Sequence, residues 1–163
     1  MGNNQNKVSP LSIPLLVKQL NSYHLPEDRN GALETIEQID IHLIDQSTFE
    51  AKSKQFKDCE GLYFIIRVVK KMVEGEYFFV LLLSFFLTLN CLDIDFISTL
   101  TQILDTIKRS VPLVMDFIRF GGVDVIEKAL RIHAEDDYLA MMLPRLLNII
   151  LGALLLVSSH HHY

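Results

Sequence analysis

The chain has 163 residues, half of them hydrophobic, so it contains enough apolar material for the core of one domain. Its formal net charge is −5, which argues against nucleic acid as the main partner, because phosphate binding needs clustered lysine and arginine. The two cysteines, Cys59 and Cys91, are too few for a structural zinc site. Their position beside apolar helical segments predicts reduced, largely buried thiols.

The N-terminal residues 1–9 are polar and predict a flexible arm, with no apolar segment of the kind found in a signal peptide. We therefore expect a cytoplasmic protein. Gly2 follows the initiator methionine, and Asn6 stands where the N-myristoylation motif prefers serine or threonine. An acylated Gly2 would give transient membrane contact, because one acyl chain alone binds membranes only marginally. The alternative is an unmodified Gly2.

Apolar residues recur at helical spacing through the first part of the chain. A first helix is predicted from Pro10 or Pro14, since proline suits the first turn, and it ends before residues 25–28. A second helix follows, then a turn at residues 45–47 and a short charged helix over residues 48–57. No segment alternates apolar and polar residues as a half-buried strand does, so the chain is predicted to be all-α.

Gly61 is expected to begin a helix over residues 62–73, and Gly75 is expected to end it. Residues 77–92 carry no charge, but these sixteen residues fall short of the about 20 that a membrane span needs. We therefore predict that they form a buried helix of a folded domain. Further helices are predicted over residues 96–109, 113–120, 123–133 and 138–151.

The C-terminal part of the chain ends in a run of leucine and other apolar residues at 146–157. This run is too short to span a membrane. We expect it to support self-association, because the end of a helical array normally has a polar outer face and this one does not. Residues 158–163 are predicted to form a disordered tail.

A pattern of residues recurs after 61 positions, so that Gly61 aligns with Gly122 in the sequence. A weaker copy occupies residues 13–39. Internal repetition of a helical hairpin indicates a stacked array of helices. In this interpretation residues 77–92 form the last helix of the middle copy, and residues 96–109 form an additional helix between copies.

Residues 117–152 resemble an armadillo repeat. The short first helix is followed by the corner Gly121 and Gly122, a second helix, the acidic turn at residues 135–137, and a longer third helix that contains Asn148. Glycine suits such a corner because a side chain would collide where two packed helices meet.

Two other parts of the chain resemble the same unit. Residues 56–90 have a single corner glycine, Gly61, and residues 13–39 match the second and third helices. The resemblance implies a short right-handed α-solenoid of armadillo-like repeats over residues 10–157. The alternative is an irregular multi-helix bundle, and HEAT-type arrays are close in architecture.

The resemblance also implies a binding surface. In the armadillo family the third helices hold extended peptides, and an asparagine of the third helix bonds to the ligand backbone. By this resemblance Asn148 belongs to a partner-binding groove. Gln38 falls at the equivalent place in the first copy, and Asn90 lies close to it in the second.

We find no pattern of catalytic or metal-binding residues. His24, His42 and His133 have no partner at a fixed spacing, and no phosphate-binding glycine loop or nucleophile motif is present. The sequence therefore predicts a non-enzymatic scaffold or adaptor that binds another protein and needs no cofactor or metal. The alternatives are an N-myristoylated peripheral membrane adaptor and a shortened form of a longer armadillo-type protein.

Overall fold

The computed structural model describes residues 8–25, 27–82, 94–132 and 134–160. In these ranges the chain forms eight α-helices and no strand, so the prediction of an all-α protein is confirmed. The helices, in chain order, are α1 Ile13–Ser22, α2 Arg29–Ile44, α3 Phe49–Asp58, α4 Gly61–Leu82, α5 Ile94–Ile107, α6 Val111–Arg119, α7 Gly122–Ile132 and α8 Asp137–His160.

The first three helices lie where the apolar spacing predicts them. Pro14 stands in the first turn of α1, where its missing N–H group would have no helical partner. The carboxylate of Asp45, just after α2, accepts hydrogen bonds from the Ser47 N–H at 3.0 Å and the Thr48 hydroxyl at 3.2 Å. These bonds form the predicted turn between α2 and α3.

Helix α4 is longer than the sequence predicts. It continues through Gly75 to Leu82, so the expected end at Gly75 and the start of a separate helix at Tyr77 are wrong. A single glycine inside a helix costs only about 1 kcal/mol relative to alanine, and no proline follows it to stop the helix. Residues 83–93, which include Cys91, and the side chains of residues 75–82 lie outside the description.

Helix α8 also exceeds its predicted length. It has 24 residues, contains Pro144 and reaches His160, so residues 158–160 are helical where a tail was expected. Gly152 is followed by one alanine and three leucines, Ala153–Leu156, which are strong helix formers. By length and composition Asp137–Leu155 could cross a membrane, a weak indication that core helices of soluble proteins also give. One face of α8 is buried in the protein through Leu139, Leu143, Leu146 and Ile150.

The helices pack in three groups of neighbours. Helices α1, α4 and α7 lie side by side, with α4 in the middle. Helices α2, α5 and α8 form a second layer, with α5 in the middle, and α3 lies beside α6. The apolar core lies where these layers meet, and the hairpins α1–α2 and α7–α8 join the first two layers.

This packing changes the assignment of the repeat. Buried residues of α5 recur in α8 after 43 positions, with Phe96 matching Leu139 and Ile107 matching Ile150. Helix α5 thus shares its spacing of buried residues with α8, whereas the sequence interpretation treated residues 96–109 as an additional helix. The shift of 61 positions applies to α3 and α4 relative to α6 and α7. The extra residues of the middle copy lie between the packed part of α4 and the start of α5.

At two of the three predicted corner glycines, Gly61 and Gly122, an added side chain would collide with an aromatic ring. A Cβ atom on Gly61 would lie 1.9 Å from the ring of Phe56, and one on Gly122 would lie 2.5 Å from the ring of Phe117. Phe56 and Phe117 are both buried and are themselves 61 positions apart. Close packing of a helix start against an aromatic ring thus requires glycine at both corners.

Candidate interaction surfaces

The layer of α2, α5 and α8 carries a cleft between its first two helices, here called the α2–α5 cleft. Its volume is about 310 Å³. Three carboxylates line it, from Glu34 and Glu37 on α2 and from Asp95 on α5, together with the guanidinium of Arg29 and the amide of Gln102. The excess of negative charge suits a ligand that carries lysine or arginine.

Gln38 lies on α2 outside this cleft and binds the chain itself. Its side-chain oxygen accepts a hydrogen bond from the Ser9 N–H at 2.8 Å. One turn further along α2, the Nε2 atom of His42 lies 3.1 Å from the Ser9 carbonyl oxygen. Both main-chain polar groups of Ser9 are therefore held by side chains of α2. Gln38 therefore bonds to the backbone of the protein's own N-terminal segment.

The predicted binding residues are not brought together. Asn148 lies on the exposed side of α8 and makes none of the hydrogen bonds described for the chain. Helix α5 separates α8 from Gln38 on α2. Asn90 lies outside the described residues. The residue of α5 that lies 43 positions before Asn148 is Asp105, which is also exposed.

The acidic residues of the α2–α5 cleft were missed by the sequence analysis. Glu34 and Glu37 face away from the apolar stripe of α2, and such residues usually form a solvated helix face. Asp95 and Gln102 were not assigned to a binding surface, because α5 was treated as an additional helix. The signal that points to them is the 43-residue spacing of buried residues between α5 and α8.

Asp40 is a buried carboxyl group between α2 and α5. Burial raises its pKa, and this effect outweighs the Thr106 hydroxyl and the charge of Arg109, which both lower it. Within the described part of the chain its Oδ1 atom has no hydrogen-bond partner. Because the group lies inside the helix packing and does not line the α2–α5 cleft, we assign it to the stability of the fold rather than to a site.

The described residues offer little for covalent or metal chemistry. They contain no group of three or more histidine, cysteine, aspartate and glutamate side chains that could hold a metal ion. The Cys59 thiol is half-buried and donates a hydrogen bond to the Phe56 carbonyl at 3.4 Å. Burial raises the pKa of this thiol, which keeps it protonated and weakly nucleophilic at neutral pH.

No family model, no curated protein and no solved structure matches the chain.

Proposed function

We propose that this protein is a non-enzymatic interaction scaffold that binds an extended segment of another protein along the layer of α2, α5 and α8. The observation that carries the proposal is this layer itself, in which α5 lies between α2 and α8. Side-chain amides and carboxylates of Gln102, Asp105 and Asn148 lie on its exposed positions and suit hydrogen bonds to a peptide backbone.

We further propose a short right-handed solenoid of armadillo-like units. The units are α1–α2, α3–α5 and α6–α8, and the second carries an insertion after the packed part of α4. The spacing of 43 residues between α5 and α8 falls in the range of about 40–47 residues for armadillo and HEAT repeats. The residues that follow Val73 would then extend the second unit without changing the order of its helices.

The negative charge of the α2–α5 cleft supports a bound segment with basic side chains. Glu34, Glu37 and Asp95 favour a segment with lysine or arginine, and the exposed amides bind its main chain. We expect a lysine-rich fluorescent peptide to bind, measured by anisotropy. Glu37→Lys is expected to weaken this binding roughly three- to tenfold, because it removes one attraction and adds one repulsion.

The matched control is Glu135→Lys, which makes the same charge change in the turn between α7 and α8. This residue is exposed and lies outside the cleft. It should leave the affinity nearly unchanged. Equal weakening by both variants would mean that only the net charge of the protein matters, and the proposed groove would be wrong.

A second proposal concerns self-association through the end of α8. Matched to α5 by 43 positions, α8 runs ten residues beyond it, and Leu151 and Leu155 there are 52% and 71% exposed. Exposed leucines near a helix end favour contact with a second copy. Leu155→Lys should lower the mass measured by light scattering at high concentration. Ile44→Lys, at a similarly exposed position on α2, should leave it unchanged.

A further inference from the structure

A second cleft lies on a different side of the molecule, between α3 and the connection from α5 to α6. We call it the α3–α6 cleft. Its volume is about 850 Å³, within the range of about 300–1,000 Å³ that is typical of ligand sites. The lining residues that matter here are Phe49, Lys54, Lys57, Arg109, Val111 and Pro112.

The charge of this cleft is opposite to that of the whole chain. Lys54, Lys57 and Arg109 line it, and among the lining residues described only Glu50 carries a negative charge. Lys57 lies 3.6 Å from the carboxylate of Asp116, so part of its charge is balanced. Lys54 is exposed and forms no ion pair within the described ranges. The cleft is therefore a local positive region on a protein of net charge −5.

Arg109 is fixed in place before any ligand arrives. Its guanidinium group lies 4.4 Å from the centre of the Phe49 ring. It also donates hydrogen bonds to the Leu43 and Thr106 carbonyl oxygens, both at 3.3 Å. These bonds use two of its five N–H groups, so donors remain for an anionic ligand. A side chain that is already ordered loses less entropy on binding.

Apolar surface lies beside these cations. Phe49 and Pro112 line the cleft, and Val111 is 45% exposed at its edge. A bare anion such as phosphate would leave this apolar surface uncovered. A peptide with both carboxylates and an aliphatic side chain matches both features, because the charges reach the cations while the side chain covers the apolar wall.

We propose that the α3–α6 cleft binds an acidic segment of a partner protein that contains an apolar anchor residue. This site is separate from the α2–α5 cleft, which has the opposite charge. The probe is a short fluorescent peptide in which glutamates flank a central leucine pair, and its affinity is measured by anisotropy. We expect binding that weakens as salt rises, because exposed charges are screened.

Lys54→Glu should weaken this binding roughly three- to tenfold, whereas Lys52→Glu should leave it unchanged. Lys52 lies on the same helix but does not line the cleft. A peptide with serine in place of leucine should bind more weakly at equal charge. Thermal unfolding followed by circular dichroism verifies that both variants fold, which is expected because neither side chain is buried.

Three results would overturn the proposal. The first is no detectable binding of the leucine peptide. The second is equal weakening by Lys54→Glu and Lys52→Glu. The third is an oligonucleotide of the same charge that binds as tightly as the leucine peptide, since this would show general attraction of polyanions. None of these results affects the lysine-rich ligand of the α2–α5 cleft, which is tested with its own variants.

Discussion

Glu60 and Gly121 stand 61 positions apart and have the same left-handed backbone conformation, with φ of 54° and 81°. Each is followed by the glycine that packs on an aromatic ring, Gly61 on Phe56 and Gly122 on Phe117. The hydrogen bonds also match, since the N–H groups of Glu60 and Gly121 bind the carbonyl oxygens of Lys57 and Ile118 at 2.9 Å and 3.0 Å. The two corners are thus copies of one structure.

This relationship predicts that Glu60 is a strained residue. A left-handed conformation costs a residue with a side chain roughly 1 kcal/mol more than glycine. Glu60→Gly should therefore raise the free energy of unfolding by about 0.5–1 kcal/mol, measured by urea denaturation. The reverse change, Gly121→Glu, should lower it by at least as much. A destabilised Glu60→Gly protein would contradict this account of the corner.

The second prediction compares two glycine-to-alanine changes. A Cβ atom on Gly61 would collide with the fully buried ring of Phe56, so Gly61→Ala should lower the free energy of unfolding by about 2–3 kcal/mol. Gly152 lies within α8, and apart from its chain neighbours and the adjacent backbone of its own helix no atom lies within 4 Å of an added Cβ. Gly152→Ala should raise stability by up to about 1 kcal/mol through helix propensity. Chemical denaturation of both variants measures the difference, and effects of equal sign would refute it.

The third prediction concerns pH. Because burial raises the pKa of Asp40 above the usual 3.8, the folded protein holds this proton more tightly than the unfolded chain does. The contribution of Asp40 to stability therefore decreases as pH rises from about 3.8 through its raised pKa, and it stays low above that.

Asp40→Asn replaces the carboxylate with a neutral group and should remove this loss of stability at higher pH. We expect the variant to be about 1 kcal/mol more stable than the wild-type protein at neutral pH, with the difference shrinking on acidification. Denaturation curves at several pH values measure it. If the variant is less stable at neutral pH, the attraction between Asp40 and Arg109 outweighs the cost of burial.

The fourth prediction concerns the N-terminal segment. The Ser9 N–H is bound by the Gln38 side chain, so Gln38→Ala should speed hydrogen exchange at that amide. Glu37→Ala, which changes the neighbouring exposed residue, is the control and should leave exchange at Ser9 unchanged. Amide exchange followed by NMR gives the answer. Unchanged exchange in the Gln38 variant would mean that the bond does not hold the segment in solution.

The fifth prediction tests Gly2, which lies outside the described residues. Mass spectrometry of protein isolated from cells with an N-myristoyltransferase should show a myristoyl group on Gly2, and Gly2→Ala should abolish it. Fractionation should then place a minor, reversible share of the wild-type protein with membranes, because one acyl chain binds weakly. A free or acetylated Gly2 would rule out the membrane-adaptor proposal while leaving both clefts in place.

The sequence by itself determined the helices and the corners of this protein. The signals are local: the spacing of apolar residues, the prolines in the first helical turns, and the glycines at 61, 121 and 122. They predict where α1–α3 and α5–α7 begin and end to within a few residues. The lengths of α4 and α8 were missed, because a lone glycine such as Gly75 or Gly152 lowers helix stability by an amount that the neighbouring residues can offset.

Only the tertiary structure decided which helices are neighbours. The sequence contains the 43-residue spacing of buried residues, but only the contacts of α5 with α2 and α8 point to it. The same contacts bury Asp40 and bring Arg109 onto Phe49, although these residues are far apart along the chain. Helix formation depends on neighbours within one or two turns, whereas packing depends on residues from the whole chain. For that reason the two proposed clefts can be located in the folded structure but not in the sequence.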